Sequence, residues 1–270
     1  MKDLPIGVND YKDLIRGNFI YVDKTRYIYE LTKRGKGIYF LSRPRRFGKS
    51  LLLSTLGCLF RGEKELFKDT WIYDKWDWQE YPVVHISFAS GLFQTPENLE
   101  EKINNVLKFN AIEYGLDLSG SNVSSKFENL LMSLYGKTKK PIVILIDEYE
   151  KPVLDNITNP QKAKEMRELL RGFYSVLKDY TGLIRFLLIT GLTKFTKMGV
   201  FSALNNLTDI SFDEKYAQMF GYTQEELIEY FDEYIQKYLQ LTELSKEEFL
   251  EMFKEYYLSL IHISEPTRPY

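Results

Sequence analysis

The chain is poor in the residues that build covalent or metal scaffolds. Cys58 is its one cysteine among 270 residues, so no intrachain disulfide can form. His85 and His262 are its two histidines, and with a single thiol they cannot supply a structural zinc site of ordinary ligand count. A metal expected here is a hard cation held by oxygen, with Mg²⁺ the leading choice. No stretch of about 18 uncharged apolar residues occurs, which argues against a membrane-spanning helix. The first ten residues mix charge with Pro5 and Gly7 and lack an apolar core. No signal peptide is therefore expected, and a cytoplasmic location without membrane association is the default. A dominant charge sign is missing too. With 36 basic and 38 acidic residues, the net charge of −2 gives no whole-molecule reason for tight nucleic-acid or membrane-surface binding.

What is present reads as a globular α/β protein. Short apolar runs at Gly37–Leu41, Val83–Phe88, Ile142–Ile146, Arg185–Thr190 and Leu207–Phe212 are expected strands. The run Ile142–Ile146 is the cleanest, five consecutive β-branched or leucine residues ending in Asp147-Glu148. Apolar residues at three- and four-residue spacing predict helices over Glu97–Tyr114 and Val123–Tyr135, and Arg26–Lys33, Leu51–Phe60 and Gln161–Tyr180 also read as helical. Alternation of buried-type strands with helices implies a parallel sheet covered on both faces. Beyond Thr223 the pattern changes to two acidic amphipathic helices, Gln224–Gln240 and Lys246–Tyr257, with no strand between them. The division expected is a core over 1–215, a helical lid or the start of a second domain over 216–258, and a tail over 259–270. That tail is turn-rich, resembles a translated sequencing-adapter string, and is set aside as non-native. Lys137–Lys140 reads as a solvated turn, and Trp71, Trp76 and Trp78 as packing residues.

The chemistry concentrates after the first strand. Arg43-Pro44-Arg45-Arg46-Phe47-Gly48-Lys49-Ser50, leading into Leu51, has the form of a phosphate-binding loop that opens a helix. Such a loop needs a glycine for close main-chain approach, a lysine to neutralise phosphate oxygens and a hydroxyl for Mg²⁺, here Gly48, Lys49 and Ser50. These residues, Arg43 through Leu51, are the expected ATP contacts. One departure is that Arg43 occupies the place of the pattern's first glycine, although Pro44 biases it to an extended backbone. Arg45 and Arg46 either donate to phosphate or anchor the loop on a carboxylate; both readings stand.

Asp147 and Glu148 end the cleanest strand, at the end where open α/β sheets bind ligands. Asp147 is expected to hold Mg²⁺ together with Ser50. Glu148 is expected to activate water as general base, beside Lys49. Thr190, with Thr193 close by, is read either as a polar residue sensing the γ-phosphate or as a strand-end threonine making a local turn bond. His85, inside an expected strand, is read as a half-buried histidine without catalytic duty. Arg171 and Arg185 are arginine-finger candidates on position alone.

These residues resemble the bacterial AAA-ATPase-like family, a branch of P-loop ATPases akin to archaeal-type and signal-transducing ATPases. The likeness is carried by Leu4–Gly7, Tyr21-Val22-Asp23-Lys24-Thr25, the loop Arg43–Ser50, Asp147-Glu148, and Thr190-Gly191 with Phe201–Ser211. It makes Arg43 a family trait. The resemblance implies a RecA/AAA-like P-loop core of strand order 5-1-4-3-2 with a C-terminal helical extension. It also implies, as in many relatives, a following PD-(D/E)XK nuclease-like domain that this chain does not include. The expected activity is Mg²⁺-dependent ATP hydrolysis, with two alternatives: a slow nucleotide-dependent switch, or an ATPase gating the missing nuclease. The expected partners are a homo-oligomer and, through that missing domain, nucleic acid.

Overall fold

The structure is a computed structural model and describes residues 1–192, 204, 206–242 and 244–261, with helical side chains as far as residue 253. Thr193, Phe201–Ala203, Asn205 and the tail from His262 lie outside the described residues.

Five strands form one sheet: β1 (Gly37–Ser42), β2 (Val83–Ser87), β3 (Ile142–Asp147), β4 (Ile184–Gly191) and β5 (Thr208–Asp209). Their order is β2-β3-β4-β1-β5, which read from the other edge is 5-1-4-3-2. All four pairings are parallel. The helices are α1 (Tyr11–Arg16), α2 (Thr25–Thr32), α3 (Lys49–Phe60), α4 (Pro96–Glu113), α5 (Val123–Thr138), α6 (Lys151–Leu154), α7 (Pro160–Asp179), α8 (Gln224–Leu241) and α9 (Lys246–Ile261). Among the described residues no helix is long and apolar enough to cross a membrane.

Period-two geometry divides the sheet into two cores. Ile142, Ile144 and Ile146 of β3, with Leu187 and Ile189 of β4, join a cluster that includes α4, α5 and α7. Val143 and Leu145, with Phe186 and Leu188, face the other way, toward α2, α3 and Tyr11 of α1. Successive side chains of a strand point to opposite faces, so a strand buried on both must be apolar at every position. That is why β3 carries no polar residue until Asp147.

Helix starts follow local chemistry. Asn122 and Ser125 form a reciprocal capping box on α5, and Thr223 and Glu226 form another on α8. Thr95 and Asn159 cap α4 and α7, each followed by proline at the first helical position. The helix α3 differs: its N-cap is Gly48, left-handed at φ 79°, with no side-chain cap bond.

Two expectations need adjusting. The fifth strand is two residues long, because the Asp209 carboxylate accepts a hydrogen bond from Ser211 N at 2.9 Å and turns the chain out of the ladder. The short helix α1 was not foreseen; its six residues are too few for periodicity to register, yet Asp10 caps it and Tyr11 is fully buried.

The edge strand β2 is closed by side chains rather than by another strand. Asn110 of α4 accepts from His85 N at 2.9 Å and donates to His85 O at 3.0 Å. Tyr114 Oη takes Val83 N at 2.7 Å. These bonds occupy backbone groups that an open edge would offer to another chain. The His85 side chain itself faces outward.

Asn110→Ala is expected to lower unfolding free energy by about 2 kcal/mol, since two buried bonds are lost at about 1 kcal/mol each. Urea denaturation measures this, and a loss under about 0.5 kcal/mol would contradict the edge-capping role.

Candidate functional site

The strand ends of β1, β3 and β4 converge at one rim of the sheet. Ser42 is in register with Gly191, and Leu41 with Thr190. Asp147 closes β3 and is 3% exposed. Both its oxygens are held: Thr190 donates to Oδ1 at 2.6 Å, and Ser50 of α3 donates to Oδ2 at 2.6 Å. Thr190 Oγ1 also lies 3.3 Å from Ile146 O. One carboxylate thus ties the first turn of α3 to two strands.

Lys49 lies beside it, 6% exposed, its ammonium donating to Arg43 O at 2.9 Å and Pro44 O at 2.8 Å. Burial lowers the Lys49 pKa, while the charges of Asp147, Glu148 and Glu150 act against that. Among the described residues no side-chain carboxylate is bonded directly to the Lys49 ammonium, which lies at the mouth of the loop. The left-handed Gly48 lets the chain enter α3 with its first amides uncapped, which is the arrangement that accepts an anion at a helix N-terminus.

The remaining loop residues divide. Arg45 and Arg46 are exposed at the tip, and no carboxylate among the described residues pairs with either. Arg46 is left-handed at φ 65°. Phe47 and Leu51 are half-buried and pack on the α3 core. Arg43 is buried, and its guanidinium turns away from the loop interior to donate to Ser211 O. Glu148 is half-exposed beyond Asp147 and left-handed at φ 52°. A non-glycine residue held there carries about 1–2 kcal/mol of strain, of the kind that concentrates at functional sites.

Glu150 was missed. It is 1% exposed, and its carboxylate accepts from Leu192 N just past β4. A Cβ at Gly191 would meet the two Glu150 oxygens at 2.5 and 2.8 Å and the Tyr149 ring at 2.7 Å. In the sequence this residue is only the second acid after Asp147, and its partner lies 42 residues away.

Neither arginine-finger candidate reaches the site. Arg185 is the second residue of β4, near the opposite rim, where it donates to Thr32 O at 3.1 Å and lies over Phe60 and Tyr81. Arg171 is exposed on α7. Of the tryptophans, Trp76 and Trp78 pack on the α3 core while Trp71 is partly exposed.

Residues 5–201 match a family of predicted AAA-ATPases. A protein described as "Uncharacterized protein in vnfD 5'region", from Azotobacter chroococcum mcd 1, is 42% identical over 228 residues. That alignment covers 84% of this chain and 44% of the relative, so the chain spans under half of the relative's length. No solved structure matches. The chain belongs to the AAA-ATPase-like family, and nucleotide use is the property that membership carries.

Two glycine substitutions separate the local constraints. Gly48→Ala meets nothing within 4 Å and is opposed by φ alone, so a cost of about 1 kcal/mol is expected. Gly191→Ala drives a methyl into the Glu150 carboxylate, and about 2–3 kcal/mol is expected. Urea midpoints in the reverse order would show that Glu150 does not pack against this strand as described.

Proposed function

We propose that the chain is a P-loop ATPase of RecA/AAA-like build that binds ATP with Mg²⁺ and hydrolyses it to ADP and phosphate. The observation that carries this reading is the Ser50 hydroxyl 2.6 Å from the Asp147 carboxylate, next to the Lys49 ammonium and under the uncapped start of α3.

The residues suit the metal. Among the described residues no cluster of three or more Asp, Glu, His or Cys could hold a cation alone. Mg²⁺ does not need one: it keeps several waters and takes one or two protein oxygens plus substrate phosphates. Ser50 and Asp147 would be those protein oxygens. When bound, Mg²⁺ neutralises phosphate charge.

Each side chain then has a task. Lys49 leaves the carbonyls of Arg43 and Pro44 for β- and γ-phosphate oxygens, and the amides of Gly48 through Leu51 face the phosphates. Arg45 and Arg46, with no carboxylate partner among the described residues, add charge-assisted donors. Glu148 takes a proton from the water that attacks the γ-phosphorus, and the leaving oxygen departs on ADP. Thr190 is hydrogen-bonded to Asp147 at the rim and serves as the polar residue that responds to the γ-phosphate. A homo-oligomer would supply an arginine finger from a neighbouring copy.

Lys49→Ala is expected to weaken ATP binding about 10- to 100-fold, the equivalent of a lost charge-assisted interaction of about 1.5–3 kcal/mol. Glu148→Gln is expected to keep ATP binding and slow phosphate release by about 10²–10⁴-fold. Fluorescent-nucleotide titration and a phosphate-release assay read the two. Tight ATP binding with negligible release in the wild-type chain would replace the ATPase with a nucleotide-dependent switch. Unchanged affinity in Lys49→Ala would remove the loop from the site.

A further inference from the structure

The residue that departs from the usual loop pattern has a defined job. Arg43 is 9% exposed, extends β1 through its amide bond to Gly191 O at 3.1 Å, and donates from its guanidinium to the carbonyls of Ser211 and Ser42. The Phe220 ring lies 5.8 Å from the guanidinium carbon, and Asp209 supplies opposing charge. Ser211 is fully buried and holds the preceding residue as well. Its Oγ accepts from Ser42 N at 2.8 Å and pairs with Ser42 Oγ at 3.1 Å. The place where the phosphate loop leaves the sheet is therefore fastened by three contacts to one residue, 168 positions away.

We propose that Arg43 and Ser211 form a clamp that fixes the root of the phosphate loop, making Arg43 a positioning residue rather than a phosphate ligand. A glycine at that position leaves the loop root to backbone geometry alone. An arginine anchored on the segment after β5 replaces that freedom with a fixed strut. The carbonyls of Arg43 and Pro44, which receive Lys49, are set by it. The clamp also joins the loop to the stretch Ser211–Phe220 that leads into α8. There Glu226 is bonded to Lys24 at 2.5 and 2.6 Å, within Tyr21–Thr25. The C-terminal helices are thereby mechanically connected to the loop.

This inference rests on the nucleotide reading for its consequence but not for its geometry, and the test keeps the two apart. Ser211→Ala removes the hydroxyl without altering any group expected to touch ATP. Hydrogen exchange of the nucleotide-free protein should show amides 45–50 exchanging about tenfold faster or more, with the centres of β3 and β4 unchanged. ATP affinity should fall about tenfold, because a small displacement of a positioned loop carries a large penalty. Arg43→Met, compared by melting to establish that it folds, should reproduce both effects. Arg43→Lys, which keeps a donor for the Ser211 carbonyl, should recover part of the loop protection. Loss of affinity in Arg43→Met with loop exchange unchanged would make Arg43 a phosphate ligand and overturn the clamp. Folded Arg43→Met with wild-type loop exchange and wild-type ATP affinity would overturn it also. If the wild-type chain binds no ATP, the nucleotide reading fails while the exchange measurement still decides the clamp.

Discussion

The Asp147 carboxylate is the interaction on which the rest of the site depends. One oxygen is bonded to Ser50 on α3 and the other to Thr190 on β4, each at 2.6 Å. Three elements distant in sequence meet at this side chain. A buried carboxylate is unfavourable unless its lone pairs are satisfied, so two hydroxyl donors stabilise it where it stands. The carboxylate thereby ties the first turn of α3 to the end of β3, while core packing holds the rest of that helix on the sheet. The Lys49 ammonium, the uncapped start of α3 and Glu148 stand around that carboxylate at the same rim of the sheet.

The fold supplies this geometry through sheet order. In β2-β3-β4-β1-β5 the strand carrying Asp147 and the strand that precedes the loop flank β4. Thr190 on β4 is therefore the natural bridge between them. The two cores hold the strands from both faces beneath a rim where Glu148 is left-handed. The segment Asp23–Thr25 is part of the same framework. Asp23 accepts from Trp71 N at 2.6 Å and Thr25 N at 2.8 Å, and Lys24 reaches Glu226 of α8. Those residues of the family resemblance are thus fasteners between the core and the C-terminal helices.

How much could be read in advance depended on whether the signal was local. The run Ile142–Ile146 and the order of strand, glycine, lysine, serine and helix are contiguous, and they located β3, β1 and α3 within two residues. Asp147 and Ser50, 97 residues apart, were expected to cooperate because phosphate-loop chemistry demands both, and they are hydrogen-bonded. The contacts of Arg43 and Glu150 were illegible for the opposite reason. Each is decided by a partner far along the chain, Ser211 and Leu192, that no spacing announces. The fifth strand was overcalled in length because its apolar residues resemble a strand, whereas one side-chain bond from Asp209 ends it.

The most direct test of the central claim is the effect of Mg²⁺ on ATP affinity, measured by isothermal titration with Mg²⁺ and with a chelator in its place. A pocket in which Ser50 and Asp147 complete the cation's shell predicts tighter binding with Mg²⁺, and loss of that advantage in Asp147→Asn. Equal affinity under both conditions, or an advantage that survives Asp147→Asn, would contradict the account.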